Sequence, residues 1–106
     1  MSLLACLISI TLLGGQVAAS AAGSRTVVLK NIAFSPKSLA IAKGTTVTFA
    51  FRDASTDHNV VSTGSRRFKT IGVRSAGSPK RTFSRAGTYR YECTLHPGMT
   101  GRISVR

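Results

Sequence analysis

His58, Cys93, His96 and Met99 are the side chains of this sequence best suited to hold a soft metal ion. The chain has two Cys, two His and two Met in all, and the remaining pair, Met1 and Cys6, lies in an apolar N-terminal run. Three of the four donors fall in one stretch, Cys93-Thr94-Leu95-His96-Pro97-Gly98-Met99. Two imidazoles and a thiolate, with a thioether as a weak fourth ligand, suit copper in both oxidation states: the sulfur donors favour Cu(I) and imidazole accepts Cu(II). Zinc is the second choice, since it takes Cys and His but rarely a thioether. Taken singly, each residue has an ordinary explanation, the Cys as a small buried hydrophobe and the Met as core filler. The combined spacing, Tyr-x-Cys-x-x-His-x-x-Met with a distant His followed by Asn, argues for a shared site.

Such a site constrains the chain around it. Three extended residues span roughly 10 Å, so Cys93, His96 and Met99 can meet at one ion only if their loop turns. Pro97 and Gly98 suit that turn, because Pro fixes φ and Gly tolerates unusual dihedrals. A compromise geometry held by the protein would leave little to rearrange when an electron arrives or leaves.

The elements that must position these residues read as β-strands. Thr26–Lys30 is β-branched and apolar, and Ile32–Phe34 continues it to a break at Ser35-Pro36. Ser38–Ala42 alternates up to a turn at Lys43-Gly44. Thr45–Phe51 puts Val47, Phe49 and Phe51 on one face and Thr46, Thr48 and Ala50 on the other. Asn59–Ser62, a short strand at Phe68–Ile71, an edge strand at Lys80–Phe83, Thr88–Cys93 and Gly101–Val105 follow. Short strands punctuated by Gly and Pro predict an antiparallel β-sandwich.

The N-terminal segment belongs to a different class. Leu3, Leu4, Leu7, Ile8, Ile10, Leu12 and Leu13 form a run too short to span a bilayer, and Ala19-Ser20-Ala21 fits a signal-peptidase site. No Lys or Arg precedes the run. Residues 1–21 are therefore expected to be a signal peptide and residues 22–106 one domain in a periplasmic or secreted protein. Leu3-Leu4-Ala5-Cys6 also resembles a lipoprotein box, which would tether the chain through Cys6. The 85 residues that remain carry a single Cys, so no internal disulfide is available, and metal ligation gives an exported lone thiol a reason to be there.

The motifs Phe34-Ser35-Pro36, Lys43–Phe49, Asp57-His58-Asn59-Val60-Val61 and Ala86-Gly87-Thr88-Tyr89 through Cys93 to Met99 resemble the cupredoxins of the plastocyanin and azurin superfamily. Amicyanin-like and pseudoazurin-like bacterial members are the nearest in pattern. The resemblance implies an all-β, eight-stranded Greek-key β-sandwich with one type 1 copper. His58, Cys93 and His96 would be the equatorial ligands and Met99 the long axial one. Asn59 and Thr94 would clasp the two ligand loops, and Tyr89 would form a structural tyrosine corner. Three positions depart from the family pattern. Phe51 stands where many relatives carry Asn, Asp57 where Pro often precedes the His, and Leu95 where amicyanin has Pro. Unlike Pro, Leu95 has an N–H that could donate to the Cys93 sulfur and favour Cu(I).

Charge adds a second theme. The sequence holds 15 Lys and Arg against three acidic residues, a net charge of +12 that lies wholly after residue 21. A basic face would steer an acidic redox partner or an anionic membrane surface, with Arg66-Arg67-x-Lys69 and Lys80-Arg81 the densest clusters. Alternatively the charge only keeps a small protein soluble. Nucleic acid is not expected as a partner, given export and few aromatics, and a monomer is expected. Three functions compete: an electron carrier, a copper-holding or delivery module without routine redox turnover, and an adhesive sandwich. Enzymatic turnover is not expected, because all four donors are committed and the acids are limited to Asp53, Asp57 and Glu92.

Overall fold

A computed structural model describes residues 22–106; the expected signal peptide and Cys6 lie outside the described residues. The strands are β1 (Ser24–Leu29), β2 (Phe34–Ser35), β3 (Ser38–Ile41), β4 (Thr45–Phe51), β5 (His58–Thr63), β6 (Ile71–Arg74), β7 (Lys80–Phe83), β8 (Gly87–Glu92) and β9 (Thr100–Val105). They form two facing sheets, β2-β1-β4-β7 and β3-β9-β8-β5-β6. The all-β sandwich is thus built of nine strands rather than eight. The added strand is two-residue β2, which folds back on β1 through Lys30–Ala33. Nor is the pairing antiparallel throughout: β1 runs parallel to β4, and β3 parallel to β9. The chain crosses to the other sheet between β2 and β3 and returns between β3 and β4, so neither parallel pair is a simple hairpin.

Side-chain alternation fills the space between the sheets. From β4, Val47, Phe49 and Phe51 point inward; from β8, Tyr89 and Tyr91; from β9, Ile103 and Val105. The strand expected at Phe68–Ile71 begins instead at Ile71. Phe68 is withheld from pairing because its ring fills the core, 5.3 Å from Phe83 and 6.0 Å from both Phe49 and Tyr91 between centroids. Its backbone N–H donates to Ser62 Oγ rather than to a strand. β7 lies at a sheet edge, where Lys80 and Arg81 discourage further pairing.

Two tyrosines fix the strand that leads to Cys93. Tyr89 donates its hydroxyl hydrogen bond to the Arg85 carbonyl (2.8 Å), pinning the turn into β8. Tyr91 lies across from Gly101, where any Cβ would come within 2.6 Å of its ring. The glycine therefore makes room for the ring. The Tyr91 hydroxyl is buried with no hydrogen-bond partner, and burial pushes its ionisation well above the usual phenol range. A buried unpartnered hydroxyl is costly. Tyr91→Phe should therefore raise the unfolding free energy by about 1 kcal/mol in urea denaturation; a loss of stability would mean that the hydroxyl has a partner in solution.

Candidate metal centre

Strand parity brings the first two donors together. In β5, His58, Val60 and Ser62 share the inward face. In β8, Tyr89 and Tyr91 do the same, and Cys93 continues their alternation beyond the strand end. β5 and β8 are neighbours, paired Val61 to Glu92 and Ser62 to Tyr91. Extending that register sets Asn59 opposite Thr94 and makes His58 a diagonal neighbour of Cys93. The third donor arrives through the loop. His96 N–H reaches the Cys93 carbonyl (3.5 Å), Met99 N–H the His96 carbonyl (3.0 Å), and Cys93 N–H the Met99 carbonyl (2.9 Å). Gly98, at φ 89°, adopts the left-handed conformation that this tight return requires.

The result is a compact group of donors. One ligand atom from each of His58, Cys93 and His96 lies within 4.8 Å of the others. Cys93 Sγ is 3.8 Å from His58 Nδ1 and 3.4 Å from His96 Nδ1. The imidazole centroids are 4.8 Å apart. His58 is wholly buried and Cys93 and Met99 are nearly so, whereas His96 is half-buried. Met99 occupies the core beneath the loop that it closes. A thiol and two imidazoles meeting in an apolar surround is the donor chemistry that copper favours, and the residues present fit that ion.

Two hydrogen-bonded supports hold this group. Asn59 and Thr94 bond reciprocally: Asn59 Nδ2 donates to Thr94 Oγ1 and Thr94 N–H donates to Asn59 Oδ1, both at 2.8 Å. This clasp joins the residue after His58 to the residue after Cys93. The second support was not legible in the sequence. Asp53 Oδ2 accepts a 2.8 Å hydrogen bond from His58 Nε2. That bond holds the Asp53 carboxyl below the usual carboxylate range, against a smaller opposing effect of burial. An ionised carboxylate only accepts, so Nε2 carries the proton and the Nδ1 lone pair is left facing Cys93. The clue was present as an acid five residues before a His across a polar turn, closed by Thr56 N–H on the Asp53 carbonyl. Spacing alone does not distinguish it from Asp57, which is exposed.

The same carboxylate oxygen also accepts from Ile32 N–H at 3.3 Å. Asn31 and Ile32 both sit at φ 55°, in a two-residue turn bonded both ways between Lys30 and Ala33. A β-branched residue in this region is a genuine outlier, costing roughly 1–3 kcal/mol. Asp53 thus ties a strained turn of one sheet to an imidazole of the other. The Leu95 N–H expected to reach the Cys93 sulfur is not among its contacts; the polar neighbours of Sγ are the two imidazole nitrogens. The Leu95 side chain is instead turned toward solvent.

A family model of the cupredoxin-like domain matches residues 3–105. No curated protein sequence matches the chain. A purple cupredoxin from Nitrosopumilus maritimus shares the fold, with a TM-score of 0.69 at 24% identity over 77% of this chain and 99% of its own. A reduced Cu(I) form of an amicyanin variant gives 0.71 at 30% identity, over 81% and 85%. A Cu-containing nitrite reductase from Thermus scotoductus SA-01 gives 0.68 at 29% identity over 78% of this chain but 22% of the enzyme. The last therefore resembles this chain in only one part of a much longer protein.

Two outcomes follow from the supports. Asn59→Ala should lower the unfolding free energy by about 1 kcal/mol, checked by chemical denaturation. Asp53→Ala should convert His58 from a single Nε2–H tautomer to a mixture, read from the side-chain 15N chemical shifts. An unchanged tautomer in that variant would show that the cavity, not the carboxylate, orients the ring.

Proposed function

Because the chain belongs to the cupredoxin-like domain family, we propose that it holds one type 1 copper ion through His58, Cys93, His96 and Met99 and carries single electrons between redox proteins. The observation that carries this reading is the meeting of a thiol and two imidazoles within 4.8 Å of one another, with His58 and Cys93 buried and His96 half-buried. Bound copper supplies a one-electron couple between Cu(II) and Cu(I), since sulfur and nitrogen donors between them stabilise both states. The chain's own part is to fix the donors. Asp53 orients His58, the Asn59–Thr94 pair keeps the two loops in register, and Met99 is locked by its place in the core. Donors fixed this firmly have little to reorganise, which favours a carrier over a module that must release its metal.

His96 is the half-buried member of the set and lies in a loop whose Leu95, Pro97 and Gly98 are exposed. As the most exposed of the four donors, it offers the electron an exit to a docked partner. With four protein donors committed to the metal, none of the ligand positions is reserved for a substrate, so the reading is a carrier and not an enzyme. Export to the periplasm or beyond rests on the reading of residues 1–21.

Titration of the purified protein with Cu(II) should produce an intense visible thiolate-to-copper absorption at one equivalent, and Cys93→Ser should abolish it. Voltammetry of the loaded protein should be reversible with one electron. Ready loss of copper to a competing chelator, without reversible voltammetry, would favour the copper-holding alternative.

A further inference from the structure

The two basic clusters that are densest in the sequence are used internally. Arg67 donates to the carbonyls of Gly64 (2.7 Å) and Ser62 (3.2 Å). Arg81 donates to those of Lys69 (2.8 Å), Lys80 (2.7 Å) and Thr70 (3.3 Å). The Arg66 side chain covers Gly87, where a Cβ would come within 2.7 Å of Nε. Arg67 and Arg81 thus brace the loops around Phe68 with donors that are already engaged, and Arg66 is spent as a cover over Gly87.

A different cationic group is assembled by strand register. Arg90 of β8 lies directly across from Arg102 of β9, both exposed on the outer face of the five-stranded sheet. The same row continues to Ser38 on β3 and Thr63 on β5. Lys37 adjoins the row, its carbonyl accepting from Arg102 N–H. Together with Glu92 these residues line a shallow open concavity of about 480 Å³. Like charges directly opposed across strands repel. Among the described residues, however, the one acid–base contact is Asp53 with His58, so neither Arg90 nor Arg102 has an intramolecular carboxylate partner. Two guanidinium-bearing residues side by side on a concave face, without a carboxylate partner, suit carboxylates, which guanidinium binds in charge-assisted pairs. The lone acid of this face, Glu92, lies in a neighbouring row, opposite Thr100 and Val61, and three cations outnumber it.

Position gives this face a use. Arg90 of β8 precedes Cys93, the residue that follows the strand, by three residues, roughly 10 Å of extended chain. We propose that the outer face centred on Arg90 and Arg102, with Lys37 at its rim, docks an acidic protein partner beside the strand that ends at Cys93. The partner's role as electron donor or acceptor rests on the copper-carrier reading; the docking does not need copper. The occupant is a carboxylate-bearing protein surface, because the concavity places the forks along a sheet row that an edge of Asp and Glu side chains can follow. It thereby relieves the Arg90–Arg102 repulsion.

The test is an amide-shift titration of the 15N-labelled protein, copper-free and Cu(I)-loaded, with an octaglutamate peptide as probe. Shifts should centre on Lys37, Arg90 and Arg102 in both forms and shrink with added salt. Arg90→Gln/Arg102→Gln should weaken binding by about tenfold or more, whereas Lys69→Gln/Lys80→Gln, which removes the same charge from the sequence-dense clusters, should change it by less than about twofold. Equal losses in both double variants, or shifts centred elsewhere, overturn the proposal. So does a face that binds phosphatidylglycerol vesicles but not octaglutamate, since the occupant would then be lipid. Copper loading is read separately by absorbance, so failure of the carrier reading and failure of the docking face are distinguishable.

Discussion

The adjacency of β5 and β8 is the constraint on which the rest of the centre depends. Those two strands carry His58 and Cys93 on one inward face, and the reciprocal Asn59–Thr94 bonds hold their ends in register. A slip of one residue would turn every side chain of one strand to the opposite face. It would separate the thiol from the imidazole and leave the Asn59 and Thr94 groups unmatched. The glycine at position 101 and the Tyr91 ring facing it resist such a slip from the other side of β8, because the ring fits only where no Cβ stands.

Burial and strain complete the support. His58 is buried without becoming an isolated polar group, since its outer nitrogen is bonded to Asp53. Asp53 lies near the rim and retains its charge while receiving a second bond from the Ile32 N–H. A β-branched residue in a left-handed turn would be an unfavourable choice in isolation. Here the turn delivers an amide to the same carboxylate that orients the imidazole. The centre is thus braced from both sheets, which is why the donors can stand close together in an otherwise apolar interior.

Charge is distributed by a different logic. Arginines of the sequence-dense clusters are drawn against the protein: Arg67 folds back on the carbonyls of its own loop, and Arg66 lies over Gly87. Arginines remote in sequence, Arg90 and Arg102, are set side by side by strand pairing and projected to solvent. A run of basic residues is therefore a poor guide to the basic surface of a β-protein. Cross-strand register decides which charges are free and which are structural.

Strand alternation at Thr45–Phe51 and Thr88–Cys93 made the sandwich legible, because period two is dictated by backbone geometry whatever the tertiary context. The donor types and the Cys-x-x-His-x-x-Met spacing likewise lay open, since they are properties of consecutive residues. Phe68 carries the local pattern of a strand residue, because that pattern does not separate a ring on a sheet from one that packs against the core out of a loop. Two-residue β2 and the parallel pairs of β1 with β4 and β3 with β9 depended on how the chain crosses between sheets, which no local pattern encodes. By itself, then, the sequence determined the β character and the chemistry available at residues 58, 93, 96 and 99. Only the tertiary structure decided that Asp53 orients His58, that the Leu95 amide stays away from the sulfur, and that Arg90 meets Arg102. Each of those relations is a contact between residues that chain order leaves apart and sheet packing brings together.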